Sequence, residues 1–294
     1  MARDMAAFLV DRQARGHSPG TVQFYKKKLA YWRRMFTDYG VADVPTITPT
    51  HIRRGLLTLT DEGHNAGGVH ACWRALRTFL RWYEDEEEPD NWRNPISKVK
   101  LPAPKENPLP PVALPDLGAM LATCTGKTLP NLRDKALLLS LLDTGCRASE
   151  FVALDVIDLD TTSGAVAVQR GKGGKSRTVF LGAKSRRAVL RYLRKRGSPE
   201  AGPLFATLTG GRLTYSGLRQ IVRRRAVAAD VPVPSLHSFR RAFALACLRN
   251  GVDLVSLQRM LGHADLSVIR RYLAQTTEDL QEAHRKGGPV DRLL

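Results

Sequence analysis

Four short motifs carry the side chains that could do chemistry. TGCRASE, Thr144 to Glu150, stops a helix at Gly145 and presents Arg147 at the bend. GKGGKSR, Gly171 to Arg177, is a glycine-rich hairpin turn carrying Lys172 and Lys175. HSFR, His237 to Arg240, follows the cap residue Ser235, so His237 and Arg240 fall one turn apart on one helix face. A phosphate meeting both side chains there would also meet the positive end of the helix. LGHADLSVIRRY, Leu261 to Tyr272, ends a helix at Gly262, with His263 next and Tyr272 at its close. The glycine turn is no Walker loop, because it joins strands, lacks the G-x-x-x-x-G-K-[ST] spacing and opens no helix. Taken singly, each motif has a plainer account: a surface arginine after a helix stop, a solvated basic turn, a chance H-x-x-R, and a tyrosine packed beside Ile269 and Leu273.

The elements that hold these motifs change character along the chain. Ser18 and Pro19 suit a helix start, and Val22, Tyr25, Leu29, Trp32 and Phe36 then recur at helical steps until Gly40. Thr48 and Pro49 open a second helix through Ile52 and Leu56. A third puts Val69, Cys72, Leu76, Phe79 and Tyr83 on one face, with Arg74, Arg77 and Arg81 off it. The acidic run Glu84 to Glu88 reads as a solvated helix end facing away from any polyanion. Five prolines between Pro102 and Pro111 then exclude helix and central strand. Ten residues of such extended chain, at about 3.1 Å each, reach roughly 30 Å.

Beyond the prolines, Leu132 to Leu142 reads as a buried helix. Short strands are expected at Val156 to Asp160, Ala165 to Gln169 and Arg177 to Leu181, separated by TTSG and GKGG turns. Helices resume at Ser185, Ser216, Ser235, Asp253 and near Ser267. The expected fold class is mainly α with a small antiparallel β-sheet: an all-helical N-terminal domain over 1–98, a proline-rich linker over 99–114, and a mixed α/β domain with a C-terminal tail over 115–294.

Composition narrows the partner. The 294 residues are 43% hydrophobic, enough for two cores, and 46 Lys and Arg against 28 Asp and Glu leave a net charge of +18. That excess points to a polyanion, since each neutralised phosphate releases condensed counterions, and nucleic acid leads. A membrane is not expected, because no apolar run is long enough to span one. The N-terminus, broken by Asp4, Asp11 and Arg12, does not read as a secretion signal, so the expected location is cytoplasmic. Cys72, Cys124, Cys146 and Cys247 are scattered and form no ligand cluster, so reduced thiols are expected and no metal or cofactor.

Arginine, lysine, histidine, arginine, histidine and tyrosine, in that order and spacing, resemble the tyrosine recombinase (phage integrase) superfamily. The resemblance spans most of the chain: the basic helical part is similar to the family's core-binding domain, and the part from about Pro115 to its catalytic domain. The size is closer to Xer-type or transposon-encoded members, and no separate arm-binding domain is expected before the core-binding part. By this resemblance the catalytic set is Arg147, Lys172, His237, Arg240, His263 and Tyr272. Lys175 competes with Lys172, and Arg241 stands where the family often has a histidine. Lys26, Lys27, Lys28, Arg74, Arg77, Arg81, Lys175 and Arg241 are the candidate DNA-binding residues.

The resemblance implies site-specific cutting and rejoining of double-stranded DNA through a 3′-phosphotyrosine and a Holliday junction, by four protomers. Two guanidiniums, Arg147 and Arg240, would hold the phosphate oxygens in forked hydrogen bonds. Tyr272 would attack, His237 acting as general base and His263 as phosphate donor, two roles that overlap, and Lys172 as general acid toward the leaving 5′ oxygen. The C-terminal tail would pack on its own domain or dock in trans on a neighbour. Two other readings remain open: a type IB topoisomerase-like enzyme that only relaxes supercoils, and a non-catalytic site-specific DNA-binding protein on the same fold.

Overall fold

Caps and prolines set the helix starts of the N-terminal part. Ser18 Oγ accepts the Thr21 N–H at 3.2 Å and Pro19 holds the first position of a helix over Pro19–Asp38 (α2). Thr48 and His51 cap each other reciprocally at Pro49–Asp61 (α3), and Asn65 caps Ala66–Glu87 (α4). An additional helix, Ala2–Ala14 (α1), precedes them. The sequence pattern did not announce α1, because its charges break the apolar stripe. Tertiary packing holds it: Phe8 is wholly buried, edge-on to Tyr25, Phe79 and Trp82 with ring centroids 5.2, 5.6 and 5.5 Å away.

The core of this part centres on Trp32, which is fully buried and donates its indole N–H to the Cys72 carbonyl at 2.9 Å. The helices come very close here: a Cβ on Gly55 of α3 would stand 2.6 Å from the Trp32 ring. Glycine inside a helix costs about 1 kcal/mol relative to alanine, so steric room around Trp32, rather than helix propensity, selects it.

The computed structural model describes residues 1–101, 110–169, 176–262, 281, 284, 285 and 290. They divide into two compact units, Met1–Glu106 and Asn107–Leu294. Both ends of the proline-rich stretch are built into cores: Val99 is buried in the first unit and Val112 in the second. Among the described residues, no helix is long and apolar enough to cross a membrane. All four cysteines are unpaired thiols, three of them buried.

The second unit begins with Leu114–Ala122 (α5), Leu129–Thr144 (α6) and the short Ala148–Ala153 (α7). A two-stranded antiparallel sheet follows, Ala165–Val168 (β1) and Arg177–Phe180 (β2), with Ala165 opposite Phe180 and Val168 opposite Arg177. The helices Ala183–Lys195 (α8), Tyr215–Ala228 (α9), Leu236–Arg249 (α10) and Leu254–Leu261 (α11) complete what is described. The centre is α6, packed on α8 and α10, with Ala136, Leu137 and Leu138 fully buried. Its polar start is buried too, and paired. Asp134 receives Arg133 and, at 2.8 Å, Arg225 Nε, while Arg225 also reaches the Thr123 carbonyl and Asn131.

One expected strand is absent. Val156–Asp158 forms a 3₁₀ turn instead, and only Leu159 makes an isolated bridge, to Val166. The reason is local: Asp158 Oδ2 accepts the Asp155 N–H at 2.9 Å, and the Asp158 and Leu159 amides bond back three residues. Short acidic side chains thus satisfy backbone groups that a ladder would have used. The expected helix near Ser267 lies outside the described residues, as does nearly all of the tail.

Candidate active site

The end of α6 organises the site. Gly145 takes the left-handed conformation (φ +57°), and a Cβ on it would lie 2.3 Å from the Phe243 ring of α10. The carbonyl it turns inward accepts Arg240 Nη1 at 2.8 Å. Arg240 Nη2 donates to the carbonyl of Leu261, the last residue of α11, at 2.7 Å. Its guanidinium is 1% exposed and joins the ends of two helices. Ser235 caps α10, accepting the Ser238 N–H at 3.1 Å, which fixes the turn carrying His237 and Arg240.

Two residues beyond Gly145, Arg147 begins α7 and is held by a carboxylate. Arg147 Nη1 donates to Glu150 Oε1 at 2.8 Å, and its backbone N–H to Oε2 at 2.9 Å. Arg177, the first residue of β2, donates Nη2 to the same Oε2 at 2.6 Å and Nε to the Met260 carbonyl of α11 at 2.9 Å. Burial alone would raise the Glu150 pKa. The hydrogen bonds from Arg177 and Arg147 outweigh it and hold the carboxyl at about 2.

His237 stands in the same field. Solvent reaches the ring, yet the protein packed around it desolvates it, and Arg241, Arg240 and Arg147 add positive potential. Together these lower its pKa below the ordinary 6.5, so the imidazole is neutral at pH 7. Arg147 and Arg177 share one buried carboxylate, while Arg240 donates to two backbone carbonyls, so positive charge is in excess here, a balance suited to an anion with several acceptor oxygens.

Arg147, His237 and Arg240 are therefore brought together, with Arg241 half-buried beside them. Lys172, Lys175, His263 and Tyr272 lie outside the described residues. Glu150 and Arg177 were not singled out from the sequence as site residues. The one signal available was Glu150 three places after Arg147, the spacing of a reciprocal cap; the long-range partner Arg177 had none.

Within the first unit, Arg74, Arg77 and Arg81 of α4 line a groove of about 970 Å³ with Arg12 of α1 and Arg15 just past its end. Phe24, Tyr25 and Trp82 contribute aromatic surface, and Asp85 and Glu86 line it as well. The acidic helix end is thus exposed as expected but does not face away from these arginines. Lys26 and Lys27 are exposed on α2, while Lys28 lies against Cys72. Arg12 and Arg15 were missed along with α1 itself.

Comparison with known proteins places this geometry. Residues 115–279 match the phage integrase family, and residues 8–87 match the phage integrase N-terminal SAM-like domain. Tyrosine recombinase XerC of Oceanobacillus iheyensis is 31% identical over 281 residues, 92% of this chain and 91% of the relative. XerC of Myxococcus xanthus is 32% identical over 292 residues, covering 94% and 93%. Among solved structures, the pre-cleavage complex of XerH bound to difH superposes with a TM-score of 0.72 at 21% identity, covering 92% of this chain and 81% of that one. A lambda integrase dimer bound to a COC′ core site gives 0.75 at 17% identity, covering 91% and 96%, a likeness of fold. With more than half its length inside the catalytic family model and relatives above 30% identity along almost all of it, the chain belongs to the phage integrase family and is a tyrosine-type site-specific recombinase.

Proposed function

We propose that this recombinase cleaves and rejoins double-stranded DNA through a covalent bond between Tyr272 and a 3′ phosphate. The observation that carries the reading is the convergence of Arg147, Arg240 and His237 around the end of α6, from segments about ninety residues apart in sequence. A phosphodiester under attack gains charge on its nonbridging oxygens. Arg147 and Arg240 supply forked, always-protonated donors for it, and losing one such preorganised donor costs about 10²–10³ in rate. Neutral His237 takes the phenol proton as the Tyr272 oxygen bonds to phosphorus, and His263 donates to a phosphate oxygen. Lys172 protonates the departing 5′ oxygen. The phosphotyrosine keeps the energy of the broken phosphodiester, so an incoming 5′ hydroxyl reseals the strand without ATP. Four protomers on two sites exchange strands through a Holliday junction. In this scheme residues 1–98 grip the duplex with Arg74, Arg77 and Arg81, residues 99–114 connect, and residues 115–294 do the chemistry.

The test is incubation with a nicked suicide duplex carrying a candidate recombination site built of inverted repeats. Denaturing electrophoresis is expected to show a covalent protein–DNA band that Tyr272→Phe abolishes. A band that persists in Tyr272→Phe moves the nucleophile elsewhere. Relaxation of supercoiled plasmid lacking any such repeat, without recombinants, would make the protein a topoisomerase.

A further inference from the structure

We propose that Arg177 is a positioning residue for this recombinase: from the first position of β2 it sets, through Glu150, the aim of Arg147. The proposal rests on the phosphate-holding role of Arg147 argued above. Arg147 is a long side chain at a helix start, with 27% of its surface exposed, so its own packing does not fix its direction. What fixes it is Glu150, one oxygen taking Nη1 and the other taking the backbone N–H. A carboxylate held only by Arg147 could swing with it. Arg177 prevents this by donating to Oε2 from a guanidinium itself anchored on the Met260 carbonyl and only 10% exposed. The anchor draws on two elements with their own support: β2 is in register with β1, and α11 is buried at Leu257 and Leu261. Removing Arg177 therefore leaves the frame standing and frees the Glu150–Arg147 pair. It also leaves a buried carboxylate with one cationic partner fewer, so Glu150 takes up a proton at higher pH and stops accepting from the Arg147 backbone.

The experiment follows single-turnover cleavage of the nicked suicide duplex from mildly acidic to mildly alkaline pH, in wild type, Arg177→Gln, Arg177→Lys, Glu150→Gln and the Arg177→Gln/Glu150→Gln double variant. Misaiming a group that touches the phosphate is expected to slow Arg177→Gln about 100-fold at neutral pH. On the acid side the fall in rate is expected to begin at higher pH than in wild type, where protonation of His237 sets it. DNA affinity is expected to change little, and Arg177→Lys to recover most of the rate. The double variant is expected to be no slower than Glu150→Gln alone, as for two residues acting through one contact. A wild-type rate in Arg177→Gln overturns the proposal, as do independent multiplicative losses, or a loss of affinity and melting temperature with the acid limb unmoved. NMR of the ¹⁵N-labelled Arg147 side chain reads the same claim without activity: hindered guanidinium rotation in wild type, free rotation in Arg177→Gln. If wild type forms no adduct, the functional reading has failed, and this signal still decides whether Arg177 fixes Arg147.

Discussion

Replacing Glu150 with glutamine keeps the shape of the side chain and removes the only charge between Arg147 and Arg177 in their shared contact. A carboxyl held at about 2 rather than its ordinary 4.5 represents about 3 kcal/mol of stability at neutral pH, at about 1.4 kcal/mol for each tenfold change in proton affinity. Only 3% of the Glu150 side chain is exposed, so solvent screens little of this on its side. Because the folded pKa is depressed, the contribution is complete above the unfolded value of 4.5 and disappears as pH falls toward about 2. For a unit of this size, about 3 kcal/mol corresponds to a melting temperature lower by about 6–12 °C. Scanning calorimetry near neutral pH should show that drop in the transition of the second unit. All four tryptophans lie within the first unit, so a fluorescence melt serves as an internal control and should stay in place. As the pH is lowered through the carboxylate range, wild type should lose its advantage and the two curves should meet. A difference below about 1 kcal/mol, typical of an exposed ion pair, would refute the argument, as would a gap that acid leaves unchanged.

Other consequences follow from particular contacts. Gly145→Ala places a Cβ 2.3 Å from the Phe243 ring and puts alanine at positive φ, a conformation costing about 1–2 kcal/mol by itself. Calorimetry should show lower stability and the suicide-substrate assay slower cleavage, because the Gly145 carbonyl that receives Arg240 moves with the backbone. Gly55→Ala raises helix propensity by about 1 kcal/mol yet should lower the tryptophan-monitored melt, since Trp32 must yield; a stabilised variant would contradict the close approach of α2 and α3. Arg77→Ala and Arg81→Ala should each reduce the salt dependence of DNA binding by about one unit of slope, read by titrations at several salt concentrations; an unchanged slope would take the groove off the DNA. His237 should titrate below 6.5 in an NMR pH series on the DNA-free protein, and a higher value would remove the positive field of the three arginines.

Much of the framework could be read from the residues. Ser18, Thr48 and Ser235 are caps whose oxygens meet the expected amides, and the apolar stripes of α2 and α4 carry their buried faces. The convergence of Arg147, His237 and Arg240 was expected only through the family pattern, since no local rule brings residue 240 to the carbonyl of residue 145. What escaped was of two kinds. Helix α1 depends on the aromatic cluster around Phe8, a tertiary cause that a stripe broken by Asp4, Asp11 and Arg12 does not show. Arg177 looked like a strand residue beside a basic turn, because its partners Glu150 and Met260 lie on other elements. The segment from Val156 to Asp160 failed for the opposite reason: its apolar residues suited a short strand, but Asp155 and Asp158 close a local turn in its place.

The identity of the atom that takes the phosphate decides the mechanism. Protease digestion of the adduct trapped on the suicide duplex, followed by mass spectrometry, reads this directly. The expected result is a peptide bearing a nucleotide through its 3′ phosphate on the oxygen of Tyr272; the same mass carried by any other residue, or by a 5′ phosphate, would contradict it.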